Sequence, residues 1–132
     1  MPETATQYYY AKTVDLSLDE AEARVREELK KEGFGVLTEI DVAATLKKKL
    51  DVDFRPYKIL GACNPGFAHQ ALQAEGKIGV MLPCNVVVQA HDGKTEIAAV
   101  DPVASMQAVD NPALQPIAEE VRERLKQVVD RV

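Results

Sequence analysis

Stretches in which apolar residues alternate with polar ones, and stretches in which they recur at helical spacing, follow one another along this chain and lay out its elements. Tyr8–Asp15, rich in Tyr, Thr and Val, has the make-up of a first strand. Ser17-Leu18-Asp19-Glu20 is a capping box, with Leu16 placed to staple against Ala21. The helix that it opens carries Leu18, Ala21, Val25 and Leu29 on one stripe and charged residues elsewhere, so it packs on one side only, and Gly33 ends it. From Phe34 to Ile40, the residues Phe34, Val36, Thr38 and Ile40 alternate with Gly35, Leu37 and Glu39, which predicts a second strand. Asp41 can cap a short helix, Val42–Leu50, whose contacts are Val42, Leu46 and Leu50, and the run from Asp51 to Pro56 is a loop.

Tyr57–Cys63 is short, apolar and flanked by prolines, as suits a third strand. Asn64-Pro65 then joins a good N-cap to a residue that loses nothing at the first helical position. The following helix has Phe67, Ala68, Ala71 and Leu72 at helical spacing and stops at Gly76. A second apolar run, Val80–Val88, leads to the turn signal Asp92-Gly93. A two-residue loop there sets His91 against Lys94, Val88 against Ile97 and Val86 against Ala99. Cys84, Val86, Val88 and Ala90 then share a face with Ile97 and Ala99, while Asn85, Gln89 and Glu96 lie on the other. Pro83 has no ladder donor, so this strand is at an edge there or begins after it.

Asp101-Pro102 and Asn111-Pro112 repeat the Asx-Pro start, the first opening a short apolar segment through Val109 and the second the last helix. In that helix Leu114, Ile117, Val121, Leu125, Val128 and Val132 keep helical spacing. The order strand, helix, four strands, helix predicts the α+β class: a largely antiparallel five-stranded sheet with helices packed on one face and two or three short inserted helices. The expectation is a single domain spanning 1–132, with 1–7 as a disordered or loosely ordered N-terminus.

Composition narrows the function. A chain of 132 residues can bury a core without a disulfide or metal to hold it. The net charge of −5, with acidic and basic residues interleaved, speaks against nucleic acid and anionic membranes as partners. Lys47-Lys48-Lys49 reads as the solvated last turn of a helix, where cations complement the dipole. MPETATQ lacks the marks of a signal peptide and no apolar run reaches transmembrane length, so the expected location is cytoplasmic, where both cysteines stay reduced.

Candidate chemistry gathers between Ile59 and Val88, which hold both cysteines. Cys63 precedes a predicted helix N-terminus, whose free amides and dipole favour a thiolate or a bound anion. Cys84 faces the predicted core, where a free cysteine behaves as a small hydrophobe and desolvation raises its pKa. Three readings follow. The first is a binding protein with a pocket around Cys63-Asn64-Pro65 and Pro83-Cys84-Asn85 for a small ligand, with Cys63, Asn64, Cys84 and Asn85 as its ligand-binding residues. A small anion, a sulfur species or a soft metal are the occupants considered; Cys63 and Cys84 with Met81 or His69 would suit Cu(I), although no C-x-x-C spacing is present. The second is a thiol-dependent enzyme with Cys63 as nucleophile, which lacks an evident base: His69 lies in the helix, His91 beside the hairpin turn, and nothing pairs Asp41, Glu96 or Asp101 with the thiol. The third is a structural or adaptor homodimer without a small-molecule site, in which Asn64 and Asn85 serve backbone groups. The binding reading comes first because a strand–helix junction built of small residues makes a pocket without requiring a base. No cofactor is specified by these residues.

Taken together, Tyr57–Pro65 (YKILGACNP), Ile78–Val88 (IGVMLPCNVVV) and Asp101-Pro102 resemble the signature of domain-of-unknown-function family 302 from bacteria and archaea, over a match from about Tyr8 to the C-terminus. The resemblance implies a fold in the TATA-binding-protein-like group, with the same element order, and places Cys63 and Cys84 on the family's two motif cysteines. It implies homodimers and no established activity, and the fold group carries no implication of DNA binding. The apolar segment Val103–Val109, too short to bury both its sides, agrees with a homodimer.

Overall fold

Capping chemistry and apolar stripes explain the elements of the computed structural model, which describes residues 7–132. In chain order these are β1 (Tyr9–Val14), α1 (Leu18–Lys31), β2 (Gly35–Asp41), α2 (Val42–Leu50), β3 (Tyr57–Cys63), α3 (Pro65–Ala74), β4 (Cys84–His91), β5 (Lys94–Val100), α4 (Pro102–Ser105) and α5 (Gln115–Arg131). Short 3₁₀ turns occupy Ile78–Met81 and Pro112–Leu114. Of the N-terminal stretch 1–7, all but Gln7 lies outside the described residues. The strands form one antiparallel five-stranded sheet in the order β1-β5-β4-β3-β2, as the α+β reading expects.

The hairpin forms in the predicted register, with Val86 opposite Ala99, Val88 opposite Ile97 and His91 opposite Lys94. Asp92 and Gly93 both take positive φ, 48° and 79°, which a two-residue turn between twisted strands requires and which Asp and Gly tolerate. The capping box on α1 closes in both directions: the Ser17 hydroxyl accepts from the Glu20 amide at 3.1 Å and the Glu20 carboxylate accepts from the Ser17 amide at 3.1 Å. Asp41 caps α2 through the Ala44 amide, and Asp101 and Asn111 cap their own short helices.

One face of the sheet carries the core. Val25 and Leu29 of α1 and Leu125 and Val128 of α5 are buried with Leu60, Val86, Val88 and Ile97 of the sheet. Each such side chain contributes about 1.5–3 kcal/mol by leaving water. Thr95, buried at the end of β5, is satisfied by donating to the Leu16 carbonyl at 2.7 Å. At the β2–β3 side an ion network ties α1 to the sheet: Lys58 Nζ lies 2.9 Å from Glu22 and 3.2 Å from Glu39, and Arg26 bonds both carboxylates. Burial alone would raise the Glu22 carboxyl, but hydrogen bonds from Lys58 and Arg26 overturn that and hold it below its usual range. The bond to Glu22, then that to Glu39, holds Lys58 above its own.

Several local expectations are corrected. The ladder slips between Val36 and Thr38, so Val36 faces Ala62 on the core side while Thr38 and Ile40 face Gly61 and Ile59 on the outer side. Phe34, Val36, Thr38 and Ile40 therefore do not share a face, and Ile40 is 47% exposed. This β-bulge is coupled to Gly61, whose place on the outer face leaves room for Thr38 and Pro83 to close over the backbone; a Cβ there would meet the Thr38 hydroxyl and stand 2.8 Å from Pro83. The run from Val80 is not strand throughout: Ile78–Met81 turns, Val80 is exposed, and β4 starts at Cys84 immediately after Pro83. Helix α3 stops at Ala74, before Gly76, and Leu50 of α2 is exposed to solvent rather than packed, in a helix with no fully buried residue.

Candidate functional site

Antiparallel pairing sets Cys84, the first residue of β4, opposite Ala62, the neighbour of Cys63 at the end of β3. Both thiols line one cavity of about 350 Å³. Ala62, Cys84 and Phe34 form its floor, while Phe67, Ala68, Ala71 and Leu72 of α3 make one wall and Ile117, Ala118 and Val121 of α5 the other. Leu82, Pro83, Pro102 and Met106 complete the lining, and Leu37, Leu72 and Gly79 stand at the mouth. The space exists because alanines occupy positions where larger residues would meet across the gap. Its size falls in the range of small-molecule sites.

Among the described residues, Cys63, Asn64 and Cys84 carry the only side chains in this lining that are not apolar. Both cysteines are free; Cys84 is buried and Cys63 is half-buried at the helix start. Burial pushes the Cys84 thiol up to about 11, and the charge of a Cys63 thiolate nearby adds to the rise. Cys84 is thus a neutral thiol at physiological pH and a poor nucleophile, as its core-side placement predicts.

Asn64 does something other than capping. Its side chain makes no cap bond to α3; instead Nδ2 donates to the Glu32 carbonyl at 3.3 Å, and Arg124 Nη1 donates to that same oxygen at 3.1 Å. That carbonyl, at the end of α1, has no partner within its own helix, so it draws donors from elsewhere. The Arg124 guanidinium also sits 5.0 Å over the Phe67 ring. Asn64 and Arg124 together fasten the end of α1, the start of α3 and the middle of α5, which fixes the cavity walls. Gly33 belongs to the same clamp: its φ is +85°, and a Cβ there would stand 3.1 Å from Asn64 Nδ2.

The structure does not bring all the proposed site residues together. Asn85 follows Cys84 in an extended strand, so the pleat sends it to the outer face, exposed, opposite Gly61, where it lines a hollow that also includes Tyr9 and Tyr57. Met81, 37% exposed in the 3₁₀ turn, and His69, exposed on α3, are not in the cavity lining. The Cu(I) set of Cys63 and Cys84 with Met81 or His69 is therefore not assembled. Among the described residues, no group of three or more His, Cys, Asp or Glu is placed to hold a metal ion. The third sulfur in the lining is Met106, which the Asp101-Pro102 helix start brings near but whose direction no local signal gives. Neither histidine and no carboxylate appears in the lining, so the cavity supplies no base to a Cys63 nucleophile. No helix among the described residues is long and apolar enough to cross a membrane.

An antiparallel sheet backed by two one-faced helices, with Cys63 at the β3–α3 junction and Cys84 on the neighbouring strand, defines an α+β fold with an apolar cavity between α3 and α5. The family described as domain of unknown function DUF302 matches residues 10–132, and the chain belongs to that family. A solved structure, the crystal structure of uncharacterized conserved protein DUF302 from Bacillus stearothermophilus, is similar at 36% identity with a TM-score of 0.89, over 94% of this chain and 97% of that one. No curated protein matches the chain. The resemblance carried by the GACNP and LPCNVVV segments is thereby borne out, and the family brings no activity with it.

Proposed function

We propose that this chain is a small-molecule-binding protein whose site is the cavity at the β3–α3 junction. The observation that carries the reading is that both cysteines of the family motif lie in the wall of one cavity of about 350 Å³ that opens beside the exposed Leu37 and Leu72. A cavity fixed by a clamp of three helices is pre-formed, so a ligand meets little ordering cost on entry. Occupants that use the thiols remain within this reading: a sulfur species or a soft ion would contact Cys63, the more accessible of the two. Thermal unfolding across a panel of neutral apolar molecules, inorganic anions, sulfide and Cu(I) tests it. A ligand that binds only the folded state stabilises it by RT ln(1 + L/Kd), with L its free concentration, so the transition temperature keeps rising as that concentration is raised past Kd. At least one class should stabilise the wild type and fail to stabilise Ala68→Phe, which fills the cavity. Stabilisation by none would contradict the reading.

A second reading, the homodimer, is favoured by the outer face of the sheet. Tyr9, Val87, Ala98 and Val100 border a hollow there, on the side away from α1 and α5. A second copy covering this face would leave the cavity open, so the two readings are compatible. Sedimentation across micromolar concentrations should show dimer in the wild type and monomer in Val87→Lys. Monomer alone in the wild type would remove the dimer and leave the cavity reading intact.

A further inference from the structure

Three features of the cavity bear on the chemistry of its occupant: what lines it, what its polar groups are already doing, and what stands at its entrance. Among the described residues no charged side chain lines it, and apart from Cys63, Asn64 and Cys84 the wall is hydrocarbon and thioether. A charged group carried inside would give up its hydration with no counter-charge to receive it. Asn64 commits one side-chain N–H to the Glu32 carbonyl and makes no cap bond, which leaves its other N–H, its side-chain oxygen, the Cys63 thiol and the uncapped first-turn amides of α3 as the polar capacity near the helix start.

The entrance points the same way by a separate route. Leu37 is 67% exposed and Leu72 46% exposed, yet both belong to the cavity lining. Leu37 sits at the bulge, the place where β2 departs from its alternation, and bulges recur beside sites where they re-aim a side chain. Two leucines left in water at the mouth of an apolar space make a surface that only an apolar molecule would cover on its way in.

Building on the reading of the cavity as a binding site, we propose that its ligand is an uncharged, mostly hydrocarbon molecule that enters between Leu37 and Leu72 and keeps a single polar end near Cys63 and Asn64. The volume of about 350 Å³ admits roughly a dozen heavy atoms at about 30 Å³ each, the share that a water molecule takes in the liquid. A medium-length acyl or alkyl chain, or a two-ring aromatic, has that size. A hydroxyl end can donate to the Asn64 side-chain oxygen, and a carbonyl or thioester end can accept from the Asn64 N–H or the first-turn amides of α3.

The probe is 1-decanol, compared with decanoate and decylammonium, which carry the same chain with a charged end. The readout is the rate of iodoacetamide alkylation at Cys63, resolved by mass spectrometry. 1-Decanol should slow alkylation saturably, and each charged analogue should need about tenfold more for the same protection. Leu37→Glu, an exposed change at the mouth, should weaken protection by 1-decanol with the fold retained by circular dichroism. Equal protection by the charged analogues would overturn the proposed class. So would protection by phosphate or Cu(I) where 1-decanol gives none, although the cavity would then stand as a site for something else. No protection by any of these probes would remove the class and the cavity reading together.

Discussion

Two ends of the same helix-on-sheet interface differ in how they are filled. Over β4 and β5, Val25, Leu29, Val128, Val88 and Ile97 have no accessible surface, and Leu125 has almost none. At the β3–α3 end, Ala62, Ala68, Ala71 and Ala118 face a space of about 350 Å³. The sheet is continuous across both, so the difference comes from side-chain size and from the helix on top: α1 and α5 lay leucine and valine stripes on the sheet, whereas α3 is short and alanine-rich. Stability and site are thereby separated in space. The packed end can hold the fold while the other end stays hollow.

The largest effect expected from this contrast is at the packed end. Leu125→Ala should cost about 2–5 kcal/mol in a denaturant melt, since it empties a filled position; a loss under about 0.5 kcal/mol would mean that α5 does not depend on that contact. Enlarging a residue should then distinguish the two ends. Ala99→Leu, in the fully buried part of β5, should cost about 1–3 kcal/mol through overpacking, while Ala68→Leu has room to grow and should stay within about 0.5 kcal/mol of wild type. Equal losses at both sites would mean that the cavity is not available space.

A smaller effect belongs to the ion network beside the packed end. The Glu22 carboxyl titrates lower in the folded than in the unfolded chain, so its contribution is present above about pH 4.5 and is lost as pH falls toward its folded value. Lys58, raised, contributes below about pH 10.5 and loses its contribution only above that. Wild type should therefore lose more stability than Glu22→Gln between about pH 5 and pH 3, by under about 1 kcal/mol for a network this close to the surface. Parallel acid limbs would show that the network adds nothing. Among the thiols, Cys84 should alkylate more slowly than Cys63 at pH 8, because burial keeps it neutral; equal rates would mean that the floor of the cavity opens freely.

Local chemistry made most of the fold legible. The capping box at Ser17, the Asp92-Gly93 turn and the stripe from Leu114 to Val132 each act over a few residues, and each appears where the pattern places it. What escaped depends on contacts between distant segments. The bulge at Leu37 answers to Gly61 across the sheet, and Asn64 leaves its cap position for a carbonyl at the end of α1. Asn85 is a different case, since the pleat that puts Cys84 in the core already sends its neighbour outward. The pairing of Cys63 with Cys84 in one cavity follows from the β3–β4 register, which the turn alone does not set.

Methyl NMR on titration with 1-decanol tests the division between a packed end and a hollow, ligand-accepting end most directly. The account predicts saturable shifts at Leu72, Leu82, Met106 and Val121 around the cavity, with Val25, Leu29 and Val88 unmoved. Shifts absent from the first group, or spread evenly over both, would contradict it.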